Sequence, residues 1–246
     1  MAIHKGLFLY LPRYIDRTPN ESLGDICRNS IYVFPQVIRS YTKLIDRTWD
    51  RKMRKVFWAT PLFKFLRYCN DSPLDKAVLD CGAGGDDPPL HLFYEYGYKT
   101  FGVEVAENPF KQAKKFCREH SMKLNIMKGD MRLLPFKSES FSFAYSFNAI
   151  FFMTKKDIAV SMKEIERVLK PNGLCFVNFV SVDEPDKGPF CKPFLGNPRF
   201  SQHEDNEADR YFSSFEIVYK EKRIIDKKTD GKRSVQAYID YIVEKK

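Results

Sequence analysis

The sequence predicts an α/β fold: a parallel sheet with helices on both faces. Three observations predict it. Short apolar runs alternate with helical stretches over residues 74–180. The first of those runs ends in a glycine-rich loop, and a hairpin pattern occupies 215–244. Repeated β-α-β units at this pitch require crossover connections, which make neighbouring strands parallel.

Each element has its own signal. AVLD (77–80) is the first strand, and the helix after its glycine loop, with Asp87 as the expected cap, stops at Gly97. TFGVEV (100–105) is the second strand, followed by a helix through KQAKKFCRE, and LNIMKGD (124–130) is the third. FSFAYSF (141–147) is the fourth. Helix 157–170 follows it, with Asp157 as N-cap and Pro171-Asn172-Gly173 as its stop. LCFVNFVSV (174–182) is the fifth strand. Asp230-Gly231 between β-patterned arms marks the terminal hairpin, whose arms are strands six and seven. The segment 183–211 between the fifth strand and this hairpin is irregular, proline-rich and then acidic, and reads as a substrate-side insertion.

Residues 1–70 form a separate helical, aromatic zone. Ile38, Tyr41, Ile45, Trp49, Met53 and Val56 share one helical face, and Lys43, Arg47, Arg51, Lys52, Arg54 and Lys55 fill most of the remainder. This zone holds 13 Lys and Arg against 5 Asp and Glu, so it carries most of the chain's net charge of +9. A basic amphipathic helix over 38–58 has three readings: a packed surface helix, a contact to an anionic membrane surface, or a contact to RNA phosphates.

Composition narrows the class. At 43% hydrophobic and 15% aromatic residues, 246 residues bury a real core and are not disordered. No apolar run reaches the roughly 18 residues that span a bilayer, and Pro12 breaks the short stretch Leu7–Leu11, so no signal peptide is expected. The six cysteines and four histidines are scattered, with no CxxC spacing. Reduced thiols in a cytoplasmic protein, without a metal centre, are the expectation.

The chemistry concentrates at the loop Asp80-Cys81-Gly82-Ala83-Gly84-Gly85-Asp86-Asp87. Glycines at a strand-to-helix turn allow a ligand close to the backbone. Carboxylates beside them repel a pyrophosphate, which disfavours nicotinamide dinucleotides and ATP and favours a ligand that carries positive charge. Glu104 ends the second strand twenty residues beyond Gly84, a position from which a carboxylate accepts both ribose hydroxyls. The competing reading is a tight turn and a solvated strand-end charge.

Residues 77–180 resemble the core of class I S-adenosylmethionine-dependent methyltransferases, closest to the type 11 group. The resemblance rests on VLDCGAGG (78–85), FGVEVAEN (101–108), IMKGDMRLLPF (126–136), SFSFAYSFNAIFFM (140–153) and KEIERVLKPNG (163–173). It implies a Rossmann-like seven-stranded mixed sheet of order 3-2-1-4-5-7-6 within a domain 71–246, with 1–70 as an N-terminal helical lid. It also implies site roles. Asp80, Gly82 and Gly84 line the methionine end of the cofactor, Glu104 holds the ribose and Val105 packs on the adenine. Asp130 accepts from the adenine amino group with Met131 beside the ring. Ser146, Phe147 and Asn148 border the cofactor's methionine portion and the acceptor, and Tyr41 and Trp49 of the lid face the substrate. Three positions depart from the family: Asp86 stands at its third glycine, Ser142 where an acid is usual, and Phe152 where histidine is common.

Methyl transfer from a sulfonium is an in-line displacement, for which positioning and desolvation supply most of the acceleration. His203, beyond the fifth strand, is the candidate general base; the competing reading is an ordinary loop histidine. The expected function is methyl transfer to a small-molecule acceptor. An RNA or protein methyltransferase using the basic helix, and a non-catalytic S-adenosylmethionine-binding module, are the alternatives.

Overall fold

A computed structural model of the protein describes residues 60–184, 200–229 and 232–246. Of the expected lid, residues 1–59 lie outside the described residues, and with them Tyr41, Trp49 and the basic helix 38–58. Residues 185–199 of the substrate-side segment also lie outside.

The elements run α1 (60–71), β1 (Ala77–Cys81), α2 (Leu90–Glu95), β2 (Lys99–Glu104), α3 (Glu107–Glu119) and β3 (Ile126–Lys128). They continue as β4 (Phe141–Ser146), α4 (Lys155–Val168), β5 (Leu169–Ser181), β6 (Gln202–His203), β7 (Phe215–Thr229) and β8 (Lys232–Lys245). Short 3-10 turns cover Ile150–Phe152 and Glu207–Phe212. No helix among the described residues is long and apolar enough to cross a membrane.

The sheet order is β3-β2-β1-β4-β5-β8-β7, parallel from β3 through β5 and antiparallel at β8 and β7. The expected order holds for the seven principal strands, the second arm of the hairpin lying beside β5. The sheet has eight strands rather than seven. The extra strand, β6, is two residues long and pairs in parallel with Val180 and Ser181 at the end of β5.

Alternation along the strands divides the core in two. Leu79, Ala144, Val177 and Tyr241 face Ile158, Met162 and Ile165 of α4. Val78, Phe143, Tyr145 and Phe176 face the opposite layer, which contains Leu62, Phe65, Leu66 and Cys69 of α1 and Phe93 of α2. The i, i+3, i+4, i+7 spacing of the α1 residues puts them on one face. Phe65 sits 6.0 Å from Phe93 and 5.9 Å from Phe176, centroid to centroid. Each such buried side chain contributes roughly 1.5–3 kcal/mol, so α1 belongs to the sheet's own core.

Three expected details differ. Thr154, not Asp157, caps α4: Thr154 Oγ1 accepts from the Asp157 N–H, and Asp157 sits in the first turn. The helix therefore starts at Lys155 and ends at Val168. Pro171-Asn172-Gly173 lies inside β5, where the register with β4 jumps from Phe141↔Leu169 to Phe143↔Leu174 and Asn172 takes φ +59°. A bulge absorbs the turn residues that read as a stop. Finally, Pro89 rather than Asp87 stands at the start of α2, and no side chain caps it.

The acid missing at Ser142 has a substitute. Ser142 is fully buried, and its Oγ donates to Asp75 Oδ1 at 2.6 Å, while Lys170 closes on the same carboxylate. The Lys170 and Ser142 contacts hold the Asp75 carboxyl below its usual range. Ser142→Asp would place a second carboxylate against the first with no added donor. Thermal denaturation at pH 7 is expected to show a loss of about 1–3 kcal/mol, typical of a buried polar group without its hydrogen bond. The loss shrinks as acid protonates the pair, and Asp75→Ser added to the same chain recovers part of it.

Candidate functional site

The carboxyl ends of β1, β2 and β4 lie side by side, with Asp80 paired in register to Gly102 on one side and Tyr145 on the other. Beyond these buried strand residues comes a half-buried band: Gly82, Gly84, Val105, Asp130, Met131, Phe147 and Asn148. The topology thus gathers onto one edge the residues that the sequence separates by up to 66 positions.

The glycine loop fits this edge because it lacks side chains where it crosses. Gly82 and Ala83 donate their N–H groups to the Val103 carbonyl at 2.9 and 3.0 Å. Gly82 takes φ +112°, and a Cβ there would lie 2.3 Å from Ala149 Cβ. At Gly84 a Cβ would lie 2.4 Å from Glu104 Oε2 and 2.5 Å from Pro109 Cβ. The loop is therefore wedged between the tips of β2 and β4, and only glycine passes at these two points. Gly85 completes it by donating to the Pro109 carbonyl at 3.0 Å. Asp86 is exposed, and Asp87 pairs with His91 at 3.7 Å.

Three carboxylates stand at the edge in different states. Asp80 is 1% exposed, and burial pushes its carboxyl up to about 8, with the Glu104 charge adding to the effect. Tyr145 lies against Asp80 and biases it the other way, but Asp80 Oδ2 and Tyr145 Oη have no well-formed hydrogen bond. Glu104 is also buried, which raises its carboxyl, although its Oε1 accepts the Ala106 N–H at 2.7 Å and the Gly84 N–H turns toward it. Asp130 is the opposite case. Arg132 grips it with Nε and Nη2, at 3.0 and 2.6 Å from Oδ2, and holds its carboxyl below the usual range. Arg132 also reaches Asp157 at 3.2 Å, which ties the loop after β3 to the start of α4.

At the tip of β4, Ser146 is fully buried and spends its hydroxyl on the Cys81 carbonyl at 2.8 Å. Phe147 packs against Phe176 at 6.1 Å. Asn148 takes φ +54°, a conformation that asparagine tolerates better than most residues. Two bonds to Asn178 of β5 hold it there: the Asn148 N–H donates to Asn178 Oδ1 at 2.8 Å, and Asn178 Nδ2 donates to Asn148 Oδ1 at 2.6 Å. Sequence reasoning missed Asn178, Asp75 and Tyr145. The available signal for Asn178 was one polar residue within the apolar run LCFVNFV.

His203 pairs with Ser181 at the carboxyl end of β5. It is fully buried on β6, stacked 4.9 Å from Phe179, with Nε2 3.1 Å from Tyr211 Oη. Burial, with Lys155 nearby, pushes it down to about 4, so it is neutral at pH 7. These are the surroundings of a core histidine.

The fold agrees with the comparisons to known proteins. A family model described as "Methyltransferase domain" matches residues 79–177, the stretch from β1 into β5. Residues 79–177 are a class I methyltransferase domain. S-adenosylmethionine is the cofactor that this domain takes. A sterol 24-C-methyltransferase of Pneumocystis carinii (strain B80) is 26% identical over 194 residues, covering 67% of this chain and 51% of that protein. An uncharacterized methyltransferase of Bacillus subtilis (strain 168), YodH, is 30% identical over 145 residues, covering 57% of this chain and 59% of its own length. The chain thus spans little more than half the length of these two relatives. Among solved structures, the 1,6-didemethyltoxoflavin-N1-methyltransferase of Burkholderia thailandensis, with S-adenosylhomocysteine and 1,6-didemethyltoxoflavin bound, is 13% identical. That match covers 93% of this chain and 92% of that one at a TM-score of 0.56, a likeness of fold.

The residues at the edge fit the cofactor. A buried carboxylate oxygen without a hydrogen bond suits the methionine end's ammonium group, and the glycine cradle leaves room where any Cβ would intrude. The state of Asp80 has a measurable consequence. Below pH 8 the empty protein holds Asp80 largely protonated, whereas an ammonium beside it favours the carboxylate. Binding of S-adenosylhomocysteine at pH 7 is therefore expected to release a fraction of a proton, and affinity to rise with pH up to about 8. Calorimetry in buffers of different ionisation enthalpy reads this directly. Asp80→Asn should abolish the buffer dependence and weaken binding.

Proposed function

We propose that this chain transfers a methyl group from S-adenosylmethionine to a small-molecule acceptor by in-line displacement. The observation that carries the reading is Asp80: a buried carboxyl whose oxygen has no well-formed hydrogen bond, beside a glycine loop too tight for any side chain. Asp80 receives the ammonium, Glu104 the ribose hydroxyls, and Asp130, steadied by Arg132, the adenine amino group. Val105 and Met131 flank the adenine ring.

The bound cofactor supplies an electrophilic methyl on a sulfonium. A lone pair of the acceptor forms the new bond as the S–C bond breaks, and S-adenosylhomocysteine leaves. The chain's part is alignment and the exclusion of water. An apolar cluster outside the main core supports an apolar or ring-bearing acceptor. Phe151, Val180 and Tyr238, with Phe152, Phe200 and Ile225 packed on them, form a cluster separate from the two layers of the main core. The relatives' printed names, a sterol and a toxoflavin methyltransferase, agree with that class.

Two measurements test the proposal. Calorimetric titration with S-adenosylmethionine and S-adenosylhomocysteine should show saturable binding. Transfer of a labelled methyl group should then appear within a panel of sterols, heteroaromatic rings, phenols and amines. Binding without transfer to any of these would favour a non-catalytic module, and no binding would refute the cofactor assignment for the whole chain. Glu104→Ala should weaken both ligands by about 1.5–3 kcal/mol, the worth of a hydrogen bond to a charged group. An unchanged affinity in that variant would remove Glu104 from the ribose site.

A further inference from the structure

Tyr145 of β4 pairs in register with Asp80 of β1, so their side chains leave neighbouring parallel strands on the same face of the sheet. Both are buried, Asp80 at 1% exposure and Tyr145 at 0%. Neither Asp80 Oδ2 nor Tyr145 Oη has a well-formed hydrogen bond among the described residues. They nevertheless stand close enough for each to perturb the other's proton.

The ring that carries this hydroxyl is fixed. It stacks on Phe93 of α2 at 5.1 Å and meets Phe65 of α1 edge-on at 6.3 Å. Those two rings offer Oη no acceptor, which leaves the Asp80 carboxyl. Glu104 of β2 is the other charged group beside Asp80, and Cys81 follows it on β1. Burial keeps both the Cys81 thiol and the Tyr145 hydroxyl protonated at pH 7. A protonated carboxyl is a much weaker acceptor than a carboxylate, since hydrogen bonds to ionised groups are roughly twice as strong as neutral ones. A phenylalanine would fill the same space without a stranded polar atom, so in the ligand-free protein the hydroxyl costs stability. It gains a strong partner only when Asp80 ionises.

We propose that Tyr145 is a positioning residue for Asp80: its O–H donates to the ionised Asp80 Oδ2 and holds that carboxylate ready for the ammonium of the cofactor's amino-acid arm. The inference rests on the S-adenosylmethionine reading above. It adds a residue of the core that touches no ligand. As the ammonium arrives, Asp80 gives its proton to solvent, Tyr145 keeps its own, and the hydrogen bond between them closes.

Tyr145→Phe removes the hydroxyl and leaves the ring. Calorimetry on the full chain compares S-adenosylhomocysteine with 5′-methylthioadenosine, which lacks the whole amino-acid arm. At pH 7 the affinity for S-adenosylhomocysteine should fall about tenfold or more, as expected for losing a hydrogen bond to a charged group, while 5′-methylthioadenosine changes little. The loss should depend on pH in one direction. Tyr145 eases the ionisation of Asp80, so its removal raises the carboxyl further above about 8, and the variant must expel a more tightly held proton at pH 7. The gap between the two proteins should narrow as the pH rises past 8, where Asp80 increasingly ionises in both before the ligand arrives. The ligand-free variant should melt at the same temperature as the unaltered protein or higher.

An unchanged affinity for S-adenosylhomocysteine, equal weakening of both ligands, or a loss that is the same at every pH would overturn the proposal. A variant that fails to fold would show that the hydroxyl is already bonded in the free protein, and would overturn it too. Where 5′-methylthioadenosine binds too weakly to measure, the pH profile decides alone. Failure of the unaltered protein to bind S-adenosylhomocysteine would instead overturn the cofactor reading itself.

Discussion

A carboxyl group at the end of the central strand, taken out of water and left without a well-formed hydrogen bond, is the constraint around which this crevice is organised. Neither protonation state of Asp80 is comfortable alone. As an ion it lacks solvation; as an acid it forgoes a hydrogen bond that water would provide. Glu104 makes ionisation harder still by bringing a like charge to the same edge. Perturbed carboxyls of this kind cluster at functional sites, and under the proposed reading a cationic group satisfies both at once.

The backbone around Asp80 leaves no room for side chains of its own at two points. The loop donates twice to one carbonyl of β2, passes Ala149 at Gly82 and passes the Glu104 carboxylate at Gly84. Contacts from β2 and β4 thus clamp the loop from opposite sides. The clamp is anchored in turn by elements far from the ligand: Ser146 ties β4 to β1, Asn178 ties the tip of β4 to β5, and Arg132 ties the β3 side to α4. Each anchor is a hydrogen bond between neighbouring elements, so the precision of the edge is inherited from the sheet and its supporting helices.

Much of this was legible in the sequence, and what was not has physical causes. Apolar runs punctuated by glycine located β1, β2 and β4 to within about a residue, because burial on both faces leaves a continuous apolar signal. The same punctuation misled at Pro171-Asn172-Gly173, where a bulge inside a long strand uses the residues that elsewhere end a helix. Thr154 and Asp157 are both good caps, and composition alone does not choose between them. The Ser142–Asp75 exchange joins positions 67 residues apart, a pairing that only the fold creates. Asn178 stood out as polar within an apolar run, but its partner depends on a left-handed residue whose conformation the sequence does not declare. His203 shows the reverse: its acidic loop suggested solvent, and a two-residue strand put it in the core.

The distribution of cost across the molecule carries the functional argument one step further. Left-handed residues at Ser121, Asn125, Glu139 and Asn172 serve turns or a bulge, where local geometry alone accounts for them. At the carboxyl edge the unfavourable features accumulate within a few residues of each other along the strand tips. Asp80 and Tyr145 lack well-formed hydrogen bonds, Asn148 is held at positive φ by a buried partner, and Gly82 sits at φ +112° against a methyl group. Several departures from local rules thus meet at this edge, although His203 Nδ1 on β6 and Gln236 Oε1 on β8 also lack a hydrogen bond. A ligand that meets groups already fixed spends little of its binding free energy on ordering them. In the methyl transfer proposed above, more of that free energy then goes into setting the line between methyl and acceptor, the one thing an in-line displacement asks of its protein.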